Sequence, residues 1–261
     1  TLHNTLFPYT TLFRSGVLHT GEERRPGGRA EAPSSDRLGT ELARVGVGLR
    51  RFKTGTPPRL ARSSLNLEAL EVQAGDRDPQ PFSWRSGRVD NRAVCWVART
   101  GEAVMKIVED NLGRAPLFSG AIEGTGPRYC PSIEDKVVRF PHHREHTLFL
   151  EPETAGGESI YVNGLATSLP RDVQEQMVRA VAGLEGAELI RYGYAVEYDV
   201  VAPGQVESSL EVVEVPGLFV AGQLLGTSGY EEAAGLGLVA GVNAAGRARG
   251  EAPVVLGREE A

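Results

Sequence analysis

The sequence predicts an α/β fold, and three stretches carry that prediction. In 216–245, Leu218, Phe219, Val220 and Ala221 form the short apolar run of a strand buried on both faces, and Gly222 ends it. Gly226 and Gly229 follow, and Glu231 and Glu232 fall in the first turn of an Ala- and Gly-rich helix whose free N–H groups face whatever lies above the sheet. The second stretch joins a strand-like run at 93–98 to a segment, 102–112, that puts Val104, Met105, Ile107, Val108 and Leu112 on one helical face. In the third, strands at 147–150, 159–162, 187–190 and 194–201 surround a helix from Ser168-Leu169-Pro170 to about Ala182. Val173, Met177, Val178 and Val181 form its core face, Gly183 its stop, and Asn163-Gly164 a turn before it.

Composition bounds the class. At 261 residues, 41% hydrophobic and 24% charged, the chain is globular and long enough for one large or two smaller domains. No apolar run reaches the ~20 residues of a membrane span, so a cytoplasmic protein without membrane contact is expected. Cys95 and Cys130 cannot make a disulfide framework. A formal net charge of −6 argues against a surface coated in cations for nucleic acid, but leaves room for a local basic groove.

Residues 5–15, TLFPYTTLFRS, resemble a translated sequencing adapter and are set aside from fold reasoning. Residues 21–40 read as loop leading into a helix at 36–45. At 51–59, RFKTGTPPR, a strand enters a turn stiffened by Pro57 and Pro58. Two readings stand there: an anion held by the N–H groups of 54–56 with Lys53 and Arg59, or a rigid crossover between domains. The stretch 60–92 is polar and proline-containing, with no assignable pattern. The close-set glycines 235, 237, 241 and 246 suggest close approach of the last helix to a sheet or ligand.

Reactive chemistry concentrates at 126–140, GPRYCPSIEDKVVRF. Cys130 lies between Arg128 and a Pro131-Ser132 turn, with Lys136 and Arg139 close behind. A lone Cys is usually an inert packed side chain, whereas cations and turn N–H groups pointed at the sulfur favour a thiolate. Glu197 and Asp199 share a strand face, for which solvation is the expected fate. His142, His143 and His146, with Glu145 and Glu151, match none of the strong zinc spacings, and no metal is expected.

Taken together, KTGTPPR at 53–59, GPRYCPSIEDK at 126–136, FLEP at 149–152, YVNG at 161–164, GYAVEYD at 193–199 and AGQ at 221–223 with GYEEA at 229–233 resemble the MnmG (GidA) family. These are FAD-dependent tRNA uridine 5-carboxymethylaminomethyl modification enzymes acting at the wobble uridine. The sequence departs from the family pattern at His142-His143, where Asp-Arg is common, and at Ala98-Arg99-Thr100, where a Thr-His-Thr-Asn-like run is usual.

The resemblance implies a two-dinucleotide-binding-fold flavoprotein, with a glutathione-reductase-like FAD domain and an inserted NAD-associated α+β domain. Its bounds are drawn as 1–15 adapter-like, 16–50 FAD domain, 51–210 inserted domain, 211–250 return to the FAD domain, and 251–261 the start of a helical region. A strand–GxGxxG–helix would precede Gly16 and the helical region would continue past Ala261. At the flavin it implies Gly222, Gln223, Gly226 and Gly229; Gln223 replaces the usual acidic residue, and its amide still pairs with ribityl hydroxyls. In the NAD-associated region it implies Gly126, Arg128, Tyr129, Ser132, Glu134, Asp135, Lys136, Arg139 and Phe140. Cys130 is then the catalytic candidate, as nucleophile or acid/base on the uridine. FAD, NADH and methylenetetrahydrofolate are the implied cofactors; tRNA, an MnmE-type GTPase and a second copy in a homodimer are the implied partners. Other readings are a folate- and FAD-dependent tRNA uracil methyltransferase and a non-catalytic nucleotide- or RNA-binding module.

Overall fold

Strands with one face in a core should alternate buried and open side chains, and in the larger of this chain's two antiparallel sheets the strands at 95–99, 147–152 and 159–163 do so. The computed structural model describes residues 13–127, 131–154, 156–257 and 259. Its strands are β1 (Val17–Thr20), β2 (Glu23–Pro26), β3 (Leu49–Thr56), β4 (Arg59–Ala61), β5 (Glu71–Gln73), β6 (Cys95–Arg99), β7 (Thr147–Pro152), β8 (Ser159–Asn163), β9 (Leu189–Arg191) and β10 (Tyr194–Val201). Its helices are α1 (Asp36–Arg44), α2 (Glu102–Asp110), α3 (Ile133–Arg139), α4 (Arg171–Arg179) and α5 (Tyr230–Ala248). The first sheet runs β2-β1-β10-β3 and the second β5-β6-β7-β8-β4-β9.

The larger core lies under the second sheet. Register pairs Trp96 with Leu150, Leu150 with Val162, and Leu60 with Ile160, so these side chains share one face. Val104, Met105 and Val108 of α2 and Val173, Met177 and Val178 of α4 close over it, as their helical spacing predicts. A smaller core gathers Leu42, Val47, Val201, Val212, Val220 and Leu224. The Pro57-Pro58 turn passes from β3 in the first sheet to β4 in the second.

Three expectations are corrected. The strand at 218–221 is reduced to a single antiparallel bridge between Glu211 and Phe219, because a buried strand needs ladder partners and no described strand runs beside it. The face carrying Glu197 and Asp199 is covered, not solvated. Glu197 Oε1 accepts the N–H groups of Glu123 and Gly124 at 3.0 and 2.7 Å, and Asp199 pairs with Arg51 at 2.9 Å. A side chain on Gly124 would meet the backbone of Phe52 at 2.8 Å, so glycine there is what lets the loop lie on the sheet. The glycines of α5 mark no close approach to a sheet among the described residues. A Cβ at Gly235, Gly237 or Gly241 would meet nothing within 4 Å, and Tyr230 and Leu238 are exposed. The helix is held from its other side by Asn243, which bonds the carbonyls of Ser209 and Val254 at 2.8 Å each.

Residues 13–15, at the end of the adapter-like stretch, pack on β10: the Phe13 ring lies 4.6 Å from that of Tyr198, and the Arg14 side chain is buried. No helix among the described residues is long and apolar enough to cross a membrane.

Candidate functional site

The turn that follows the second core is built for close approach. Gly222 (φ +65°) opens a single 3-10 turn, Gly222–Leu225, and Gly226 (φ +85°) closes it, both in the left-handed region that costs a side chain least as glycine. A Cβ on Gly226 would stand 2.6 Å from Phe52 Cε2, so the turn sits directly on β3. Gly226→Ala is therefore expected to destabilise the chain by about 1–3 kcal/mol, read as a shift in the urea midpoint at constant m; an unchanged midpoint would show that the turn relaxes freely. Within the turn, Arg14 Nη2 donates to Gln223 Oε1 at 3.3 Å, leaving the Gln223 Nε2 hydrogens without a partner among the described residues. Gly229 caps α5, whose first turn carries Glu231 and Glu232 as expected.

The residues of 126–140 divide into those consumed by the fold and those facing a cavity. Ser132 and Asp135 form a reciprocal capping box on α3. Asp135 also takes Lys53 Nζ at 2.8 Å, with both side chains nearly excluded from water. Burial raises the Asp135 pKa, but the bonds from Lys53 and Ser132 outweigh it and hold the carboxyl below its ordinary range. Glu134, fully buried, accepts from Thr167 Oγ1, Ser168 N and Ser168 Oγ through one oxygen, and its other oxygen has no partner among the described residues. Lys136 Nζ donates to Gly164 O at 2.8 Å, and burial pushes its pKa down. Gly126, Arg139 and Phe140 instead line a 570 Å³ cavity with Lys53, Asp135 and Pro131.

Arg128, Tyr129 and Cys130 lie outside the described residues. The N–H groups assigned from sequence to the Cys130 sulfur are taken elsewhere: Pro131 has none, Ser132 N bonds Asp135 Oδ2 at 3.0 Å, and Ile133 N bonds Ala166 O at 2.7 Å. Among the described residues no group of three or more His, Cys, Asp or Glu gathers to hold a metal. The anion reading of 53–59 loses its lysine, because Lys53 Nζ is paired with Asp135 and Lys53 N donates to Thr125 O at 2.9 Å.

Sequence comparison decides the family. The chain matches the family model described as glucose inhibited division protein A over residues 9–252. It belongs to that family. A relative in Rhodopirellula baltica named tRNA uridine 5-carboxymethylaminomethyl modification enzyme MnmG is 50% identical over 98% of this chain and 40% of its own length. One of the same name in Nitratiruptor is 47% identical over 97% of this chain and 41% of its own length. The solved structure of Aquifex aeolicus GidA in its form II crystal superposes with a TM-score of 0.86 at 44% identity, over 96% of this chain and 41% of that one. The chain thus spans about 40% of the length of these glucose inhibited division protein A relatives. Three features of this family member escaped sequence reading: Arg14 on Gln223, Lys53 on Asp135, and Glu197 under the loop at 123–124. Each joins residues more than 70 positions apart, and no local pattern signals such a pair.

Proposed function

We propose that this chain is the flavin- and nicotinamide-handling part of an enzyme that adds a carboxymethylaminomethyl group at carbon 5 of the tRNA wobble uridine. The 50% identity over 98% of the chain to a relative named for that reaction carries the reading. The residues present fit FAD. The 222–229 turn offers the unused Gln223 Nε2 hydrogens, and Gly237 and Gly241, on one side of α5, have open space above them. Such neutral donors suit ribityl hydroxyls and ring carbonyls. The chemistry FAD supplies when bound there is hydride and electron transfer.

Around it, the cavity of Gly126, Arg139 and Phe140 takes NADH, with exposed Arg139 suited to a phosphate. Methylenetetrahydrofolate is the one-carbon donor, an MnmE-type GTPase the protein partner, a homodimer the assembly and the cytoplasm the setting. In a chain extended to the length of its relatives, Gln223→Ala is expected to weaken FAD by on the order of 1 kcal/mol, measured as a dissociation constant by flavin fluorescence. An unchanged constant would leave Gln223 a turn residue only. The function itself is tested by expressing that extended chain in cells lacking their own enzyme and analysing tRNA nucleosides; absence of the modified uridine would sink the proposal.

A further inference from the structure

At the seam between the two sheets, a separate cavity of 390 Å³ is lined by Arg29, Glu31, Arg59, Arg191, Tyr192 and Tyr194. From this convergence of arginines we infer a binding site for a phosphate group, distinct from the flavin turn and from the cavity beside Lys53.

The strand register is the first argument. Arg59 of β4 stands directly opposite Arg191 of β9, and like charges so placed repel. The register shifts between Arg59 and Leu60, where Leu60 pairs with Leu189 and Ile190 is skipped. A regular ladder would set Ile190 opposite Arg59, so the bulge replaces an apolar neighbour with a second cation. Bulges of this kind re-aim side chains beside binding sites. An anion between the two guanidinium groups turns the repulsion into two attractions.

The preorganisation of Arg59 is the second argument. Its Nε donates to Glu153 at 2.9 Å, its Nη1 donates to Thr56 Oγ1 and to Pro57 O, and its plane lies 4.5 Å over the Tyr161 ring. Nη2 is left over among the described residues, on a guanidinium that cannot turn away. The charge count is the third. Against Arg29, Arg59 and Arg191 stand two carboxylates, Glu31, 3.6 Å from Arg191, and Glu153 on Arg59, and Arg29 has no acidic partner among the described residues. The Tyr194 hydroxyl accepts Ala30 N at 3.2 Å, which leaves its hydrogen to donate inward and ties the Arg29 loop to β10. Rigid forked donors and a hydroxyl around a net positive cavity match a phosphate better than a neutral ligand.

The phosphate has two natural sources, a nicotinamide nucleotide and an RNA backbone. The probe is pyrophosphate, titrated calorimetrically into the chain at low salt. Saturable binding is expected, weakened at least about ten-fold in Arg29→Gln/Arg191→Gln. Without pyrophosphate, Arg191→Gln is expected to melt no lower than the parent, because it removes a repulsion; with pyrophosphate, the parent's melting temperature rises and the double variant's does not. Arg191→Lys, which keeps the charge and loses the fork, should bind with intermediate affinity and guards against a folding defect in the glutamine variants. No saturable binding by the parent, or equal affinity in the double variant, overturns the site. A lower melting temperature for Arg191→Gln with binding unchanged makes Arg191 a structural partner of Glu31 and overturns it as well. Competition by NADH or by an anticodon stem–loop RNA then identifies the source. The RNA arm rests on the proposed function. If RNA fails to compete while pyrophosphate still requires Arg29 and Arg191, the site stands and that function loses support.

Discussion

Asp135→Asn is expected to destabilise the chain by about 3–5 kcal/mol, the cost of leaving one member of a buried ion pair without its counter-charge. The Lys53 and Asp135 side chains are 7% and 8% exposed, so water cannot replace the missing carboxylate. Asparagine preserves shape and can still accept from Ser132, so the loss isolates the charge and not the helix cap. The link it breaks joins β3 of the first sheet to α3, which also anchors the second sheet's connection through Glu134 and Ser168. Urea unfolding of parent and variant measures the effect; a difference below about 1 kcal/mol would put the pair in the class of exposed bridges. Adding Lys53→Met to Asp135→Asn should restore part of the loss, since a neutral pair of similar volume has no charge to strand.

The same pair sets an acid limit, and its sign follows from the direction of the shift. Asp135 is held below its ordinary range when folded, so it binds a proton more readily unfolded. Its contribution is complete above the unfolded carboxylate value near pH ~4 and is lost as pH falls through the lower folded value. Stability of the parent measured downward from neutral pH should therefore fall more steeply in that acid range than stability of Asp135→Asn.

What the sequence made legible, and what it hid, follows from the range of the interactions. Alternation in β7 and β8 and the helical face of α2 and α4 are local, and the structure places Leu148, Leu150, Ile160, Val162, Val104 and Met177 in the core as their spacing requires. The apolar run at 218–221 announced burial correctly at Val220 but not its form, because a ladder depends on neighbouring strands that a single segment does not encode. Period two put Glu197 and Asp199 on one face, yet solvation of that face was decided by a loop 73 positions away in sequence. At the site, the glycine turn around Gln223 was legible because left-handed backbone writes itself as glycine. The facing of Arg59 and Arg191 was not, because a one-residue bulge inverts which side chain stands opposite and leaves no mark in composition.

In the extended chain, Cys130→Ser is expected to reduce formation of modified tRNA by at least about 10²-fold while leaving FAD content unchanged, as loss of an essential nucleophile or acid/base group does. Carbon 5 of uracil becomes nucleophilic once a thiolate adds to carbon 6, because addition breaks the ring conjugation and leaves an enolate that can attack a one-carbon unit. Sulfur suits the step because it both adds and leaves readily, and a hydroxyl in its place does neither at neutral pH. For Cys130 to act in this way, the base would have to leave a single-stranded loop, at modest cost. With the N–H groups of Ser132 and Ile133 spent on Asp135 and Ala166, we propose that activation of the thiol would fall to cations, with Arg128 two residues before it and Arg139 nine residues after it in sequence. Arg139→Gln should then shift the activity–pH profile upward, because a thiol with one cation fewer ionises at higher pH; a profile unmoved by Arg139→Gln assigns the activation elsewhere, and near-normal modification by Cys130→Ser removes Cys130 from the reaction.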